Sequence, residues 1–133
     1  MFSYDTSRTP PAPFGKIRVT DELHRLEIGP FVAHVDTGSD FTCLPRSAVE
    51  QLQERLDYEL VRAVGFDGRE SEIHAVKILK ATVEFLDSNG DVVLKTQYEN
   101  LRLPVLPEGL LGRDILNHHF GEFDGPRREW ALR

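Results

Sequence analysis

Cysteine is almost absent from this chain of 133 residues: Cys43 stands alone, which excludes an internal disulfide and fits a reducing compartment. Its neighbours Thr42 and Leu44 suggest a buried strand residue, not a nucleophile. Basic charge is scarce as well. Sixteen Lys and Arg against 22 Asp and Glu give a net charge of -6, which leaves no electrostatic footprint for nucleic acid. Arg127, Arg128 and Arg133 cluster near the C-terminus and read as a solvated end. No apolar run has the length to span a bilayer, and "FSYDTSRTPPAPFG" after Met1 lacks the basic start and apolar core of a signal peptide. The expectation is a cytoplasmic protein with no membrane and no nucleic-acid partner. Metal-ligand spacing is missing too, because His118 and His119 are adjacent and point apart, while His24, His34 and His74 follow no ligand pattern. Asp87, Asn89 and Asp91 could open a calcium loop, but the downstream Glu is lacking and the flanks read as strands. Neither a metal nor a cofactor is expected.

With 40% hydrophobic residues, the chain can build one domain around one core. The prolines of "TPPAP" suit neither helix nor central strand, so residues 1–13 read as a flexible, proline-rich arm and residues 14–133 as the domain. "KIRVT" and "HRLEIGPFVAHV" read as two strands with Gly29-Pro30 as punctuation. "PRSAVEQLQERLD" places Ala48, Val49, Leu52 and Leu56 at helical spacing behind Pro45. Strand patterns return in "YELVRAVGF", "SEIHAVKILKATVEFL" and "DVVLKTQYENLRLPVL", with Asn89-Gly90 suited to a tight hairpin. "GRDILNHHF" suggests a short helix, and "EFDGPRREWAL" a last hairpin. The sum is an all-β domain with one clear helix and one short C-terminal helix.

One run resists this architectural reading. In "FVAHVDTGSDFTCL" an apolar strand ends in an acidic residue, a hydroxyl and a glycine. Such an arrangement suits an Asp that must face a reactant, with Gly38 permitting close approach and Thr37 bonding across a tight turn. For the triplet taken by itself, an Asx-type turn at the end of a strand is the favoured explanation, and three residues are too few to decide.

The longer context points further. "VDTGSDFTCL" followed far downstream by "LLGRDIL" resembles the retropepsin family of aspartic proteases, over roughly Phe14 to Arg133. The resemblance implies an acid-protease barrel in which Asp36 is the catalytic carboxylate, Thr37 locks two active-site loops together and Gly38 offers its backbone to substrate. It pairs Asp40 with Arg113, which follows Gly112, as a supporting ion pair. It places the flap, the hairpin that closes over substrate, at "VGFDGR", with Gly65, Phe66, Asp67 and Gly68 at the tip. His34, Glu108 and Leu110 fall where the family lines its cleft, although His34 could equally be a core histidine bonded to a backbone carbonyl. Ser39 would support the Asp36 carboxylate by donating a hydrogen bond to it.

A single Asp-Thr-Gly run has a further implication. Peptide hydrolysis by this chemistry takes two carboxylates that share a proton, and one chain supplies one. The expected enzyme is therefore a homodimer acting on extended polypeptide, with Asp36 of each subunit meeting on a two-fold axis. The competing expectation is a peptide-binding or dimerisation module that keeps the fold and cleaves nothing. An unrelated β-barrel with an accidental triplet is the third.

Overall fold

The computed structural model describes residues 1–64 and 67–133. Ten strands form one connected sheet: β1 (Phe2–Asp5), β2 (Ala12–Asp21), β3 (Leu26–Val35), β4 (Leu44–Pro45), β5 (Tyr58–Val64), β6 (Glu70–Leu86), β7 (Val92–Leu106), β8 (Gly109–Leu111), β9 (Gly121–Asp124) and β10 (Glu129–Leu132). The main path runs β4-β7-β6-β2-β1-β10-β9, with β3 on β2, β5 on β6 and β8 on β3. Nothing among the described residues joins β4 to β9, so the sheet is open. The all-β expectation holds at this level, without a closed barrel.

Strand β2 follows from its alternation. Ile17 and Val19 point into the core at 0% exposure, while Lys16 between them and the strand edge faces solvent. Its partner β3 joins it through a turn at Glu22–Arg25, where the buried Asp21 accepts the N–H groups of Leu23 and His24 at 3.1 and 3.2 Å. Gly29-Pro30 does not separate two strands. It lies inside β3, opposite the register shift between Ile17 and Val19, with Gly29 at φ +99°. A β carbon there would stand 2.9 Å from the Ile17 carbonyl oxygen, so the bulge needs glycine.

The long strand β6 does two jobs. Residues 70–76 pair with β5 in an overhanging hairpin, and residues 81–86 pair with β2 in the core. Burial follows the change of partner, from exposed Glu70, Ser71 and Glu72 to fully buried Val76, Ile78, Val83 and Phe85. At its far end, Asp87 Oδ1 accepts N–H bonds from Asn89 and Asp91, both at 2.9 Å, and Gly90 adopts φ +84°. The acidic group is thus an Asx turn closing a hairpin.

The expected first helix is shorter than its periodicity suggests. One α-turn, α1 (Arg46–Val49), runs directly into a 3-10 segment at Glu50–Arg55. Only Val49 and Leu56 of the apolar stripe reach full burial, so little packing holds a regular helix in shape. The short C-terminal helix is α2 (Arg113–Leu116), and the last hairpin is β9–β10.

The N-terminus departs from expectation. Residues 2–5 are a strand held on both sides, Phe2 and Ser3 against β10 and Tyr4 and Asp5 against β2. Phe2 is 7% exposed and packs on Trp130 at 4.7 Å between ring centroids, with Phe85 at 6.1 Å. The proline-rich segment connects two paired strands of the sheet, so Phe2–Asp5 belong to the folded domain, which therefore does not begin at Phe14. Of the proline-rich run, Ala12 and Pro13 already belong to β2, paired with Asp5 and Tyr4, and an aromatic residue before the run supplies the anchor.

Phe2→Ala is expected to lower unfolding free energy by about 3 kcal/mol, the typical cost of emptying a buried aromatic site. Denaturant unfolding of the two proteins measures it, and a loss near zero would return residues 1–13 to the status of a free arm.

Candidate functional site

Three segments converge at Asp36. Strand β8 runs parallel to β3, pairing Ala33, His34 and Val35 with Gly109, Leu110 and Leu111. On its other side Leu110 exchanges backbone bonds with Cys43 at 2.8 and 3.0 Å. The Asp36 N–H then donates to the Leu111 carbonyl at 3.0 Å, and the Ser39 N–H returns to the Asp36 carbonyl at 3.1 Å. A four-residue turn is thereby fixed at the end of β3. Within it the Gly38 N–H donates to Asp36 Oδ1 at 3.0 Å, which sets the carboxylate's orientation and leaves Oδ2 without a protein partner among the described residues.

The turn is tied to α2 from below. The Arg113 N–H donates to the Ser39 carbonyl at 2.9 Å. Thr42, at 0% exposure, donates its N–H and its hydroxyl to Asp114 Oδ1 at 2.9 and 2.7 Å, and its Oγ1 accepts the Gly112 N–H at 3.0 Å. Gly112 makes this approach possible, since a β carbon there would lie 2.4 Å from the Phe41 carbonyl oxygen. Thr42 and Asp114 were not singled out from sequence. Their signal was a hydroxyl inside the apolar run "FTCL" and a second acidic residue directly after Gly112-Arg113.

Asp40 and Arg113 do form an ion pair, through Asp40 Oδ1 and Arg113 Nη2. Their side chains are 71% and 46% exposed in the single chain, so the pair is a surface contact there. Ser39 departs from expectation: its hydroxyl donates to the Phe41 carbonyl at 2.7 Å and not to Asp36. That bond closes the same loop by a different route. Thr37 and Gly38 are exposed at the crest of the turn.

A hollow of about 480 Å³ opens beside Asp36, lined by Gly38, Asp40, Leu110, Val61, Val64 and Ile73 among others. Val61 and Val64 belong to β5 and Ile73 to β6, so the hairpin expected as a flap does border the Asp36 hollow. Gly68 near its tip has φ +76° and Asp67 is exposed, whereas Gly65 and Phe66 lie outside the described residues. Cys43 also borders the hollow but is itself buried, and burial pushes its thiol up to about 11, which keeps it an unreactive thiol.

His34 and Glu108 do not border this hollow in the single chain. They line a second one together with Arg8, Pro30, Val32 and Ser47. Arg8 Nη2 bonds Glu108 Oε2 at 2.9 Å, and His34 Nε2 lies 2.9 Å from Asp5 Oδ2 and 3.0 Å from Arg8 Nε. The N-terminal segment therefore straps across β3 and β8 just before Asp36. The Ser7 hydroxyl, with help from His34 and the Ser7 N–H, holds the Asp5 carboxyl down at about 2. Of the expected cleft residues, the chain brings Leu110 and the β5–β6 hairpin to Asp36 and turns His34 and Glu108 toward Arg8.

No group of His, Cys, Asp and Glu among the described residues is arranged to hold a metal ion, and no helix among them is long and apolar enough to cross a membrane. Comparison of the chain with protein-family models and with curated protein sequences returns no match.

Asp114→Ala strands the two buried Thr42 donors and is expected to cost about 3 kcal/mol. Asp114→Asn, which keeps the acceptor, should cost less. Arg113→Ala should cost at most about 1 kcal/mol, as exposed pairs do. Denaturant titration ranks them, and an Arg113→Ala loss equal to that of Asp114→Ala would contradict the ranking. A second expectation follows from Asp5. Its carboxyl is lower in the folded chain than its ordinary 3.8, so its contribution is present above pH about 4 and is lost as pH falls through about 2. Wild type should lose stability between pH 4 and 2 more steeply than Asp5→Asn, and parallel curves would remove Asp5 from the strap.

Proposed function

We propose that this chain is one half of a homodimeric aspartic endopeptidase of the retropepsin type, with two copies of Asp36 meeting across a two-fold axis. The observation that carries the reading is the Asp36 turn. A carboxylate stands at the end of a strand, with one oxygen fixed by the Gly38 N–H and a hollow beside it bordered by a two-stranded hairpin. An Asx turn that served structure alone would need neither the hollow nor the hairpin.

The chemistry calls for two such carboxylates sharing one proton. The ionised one takes a proton from a water molecule as the water oxygen bonds to the peptide carbonyl carbon, and the protonated one gives its proton to the carbonyl oxygen. The resulting tetrahedral diol collapses as the C–N bond breaks: one diol hydroxyl gives its proton to the ionised carboxylate while the leaving nitrogen takes the proton of the other, which restores the singly protonated pair. Thr37, exposed at the crest of the turn, is positioned to bond the partner's loop, and Gly38 to present its backbone to substrate. Extended polypeptide is the substrate class, because a strand-like chain can lie beneath the hairpin and pair with its backbone. A non-cleaving peptide-binding module uses the same surfaces and is separated by experiment.

Digestion of a denatured protein mixture with wild type and Asp36→Asn tests the reading. Wild type is expected to cut, with inhibition by a pepstatin-type compound, and Asp36→Asn to lose at least about a thousandfold in rate while still binding peptide. Specific activity should fall on dilution as dimers separate. Equal cleavage by both proteins, or full activity in a strictly monomeric sample, would overturn it; binding without cleavage by wild type would leave the binding module standing.

A further inference from the structure

A third hollow, also of about 480 Å³, opens at the root of the β5–β6 hairpin, within the range of about 300–1,000 Å³ common to small-ligand sites. Val49, Val105 and Leu106 give it an apolar lining. Its polar lining comes from two separate elements: Arg46 and Gln53 stand on α1 and the 3-10 run, and Tyr58, Glu72 and His74 on the hairpin. The hairpin register pairs Leu60 with His74 and Arg62 with Glu72, which sets Tyr58, Glu72 and His74 on the face turned away from Val61 and Ile73. Ile73 and Leu106 back both spaces, but none of the five polar residues lines the hollow beside Asp36. The root hollow is therefore a separate space outside that cleft.

A lone charge on a protein surface is ordinary. Here a cation and a carboxylate, Arg46 and Glu72, line one apolar hollow from different elements; both are exposed, and neither forms an ion pair among the described residues. Other charges of the hairpin are matched within the chain, Glu59 with Arg102 at 2.7 Å and Arg62 with Glu70 at 3.9 Å. We propose that the root hollow binds a short peptide with free ends and apolar side chains, its carboxylate on Arg46, its ammonium on Glu72 and its side chains against Val49, Val105 and Leu106. A guanidinium takes a carboxylate through two parallel N–H bonds, and a carboxylate in turn accepts from an ammonium. The Gln53 amide and the Tyr58 hydroxyl supply donors and acceptors for the peptide group between the two ends. A purely apolar molecule would leave both charges unanswered. A fatty acid or a simple amine would answer one and bring a like charge toward the other. The assignment does not rest on the endopeptidase reading and involves no substrate position in the cleft.

Titration of the full chain with the dipeptide leucyl-phenylalanine, followed by amide NMR shifts, tests the site. Shifts are expected at Arg46, Gln53, Tyr58 and His74, with a Kd of about 1 mM or tighter. Acetylating the amino end or amidating the carboxyl end should each weaken binding about fivefold, a modest step because both protein charges are exposed. Glycyl-glycine, which keeps the ends and lacks the apolar side chains, should bind at least about tenfold more weakly. Two variants at exposed positions assign the ends. In Arg46→Gln the free and amidated dipeptides should bind within about twofold of each other, and in Glu72→Gln the free and acetylated ones should do so. No shift at up to about 20 mM dipeptide, shifts confined to Gly38, Ser39 and Asp40, or equal binding of free and capped forms by wild type would each overturn the proposal. None of these results bears on peptide cleavage, so the endopeptidase reading stands or falls separately.

Discussion

The buried knot of Thr42, Gly112 and Asp114 is the constraint on which the arrangement around Asp36 depends. One hydroxyl serves two bonds, accepting from the Gly112 N–H and donating to Asp114 Oδ1, at 0% exposure. Buried polar groups are costly unless satisfied, so the loop after β3 and the start of α2 must approach each other this closely or not fold together. Gly112 permits it because its missing β carbon would stand 2.4 Å from the Phe41 carbonyl oxygen. Strand β8, threaded between β3 and Cys43, adds backbone bonds from both sides. The result is a rigid seat for a carboxylate whose sequence neighbours Thr37 and Gly38 remain exposed.

Two mobile-looking features of the sequence turn out to serve that seat in different ways. The N-terminal segment is folded in place by Phe2 in the aromatic cluster and by Arg8 on Glu108, and it covers the far side of β3 and β8. The β5–β6 hairpin borders the Asp36 hollow through Val61, Val64 and Ile73, and it is held to the rest of the sheet where β6 enters the core at Ala75 and Val76 and by the Glu59–Arg102 ion pair at 2.7 Å. The strap and the hairpin thus lie on either side of one strand end.

Much of this was legible in the sequence because the signals were local. Alternation gave the strands, Asn89-Gly90 gave the hairpin between β6 and β7, and the Asp-Thr-Gly run gave the strand end and its turn. What stayed hidden was set by distant partners. Asp114 and Thr42 are 72 residues apart, and Arg8 and Glu108 are 100 apart, so neither pairing leaves a periodic trace. The N-terminal strand was missed because the prolines at 10, 11 and 13 masked a single anchoring aromatic before them. Ser39 was assigned to Asp36 by proximity along the chain, whereas the tight turn brings its hydroxyl to the Phe41 carbonyl instead. Gly29-Pro30 illustrates the same limit, since whether such a pair ends a strand or bulges it depends on the register of the partner strand.

The central claim is that two chains contribute one Asp36 each to a shared reaction centre. Wild type and Asp36→Asn protein, unfolded together in varied proportions at constant total concentration and then refolded, test it directly by the rate of peptide cleavage. If both carboxylates are needed, activity follows the square of the wild-type fraction, and an equal mixture gives about one quarter of the all-wild-type rate, the share of randomly formed pairs with two intact subunits. A linear dependence, with about half the rate at equal mixture, would mean that each chain works with its own Asp36 alone and would contradict the account.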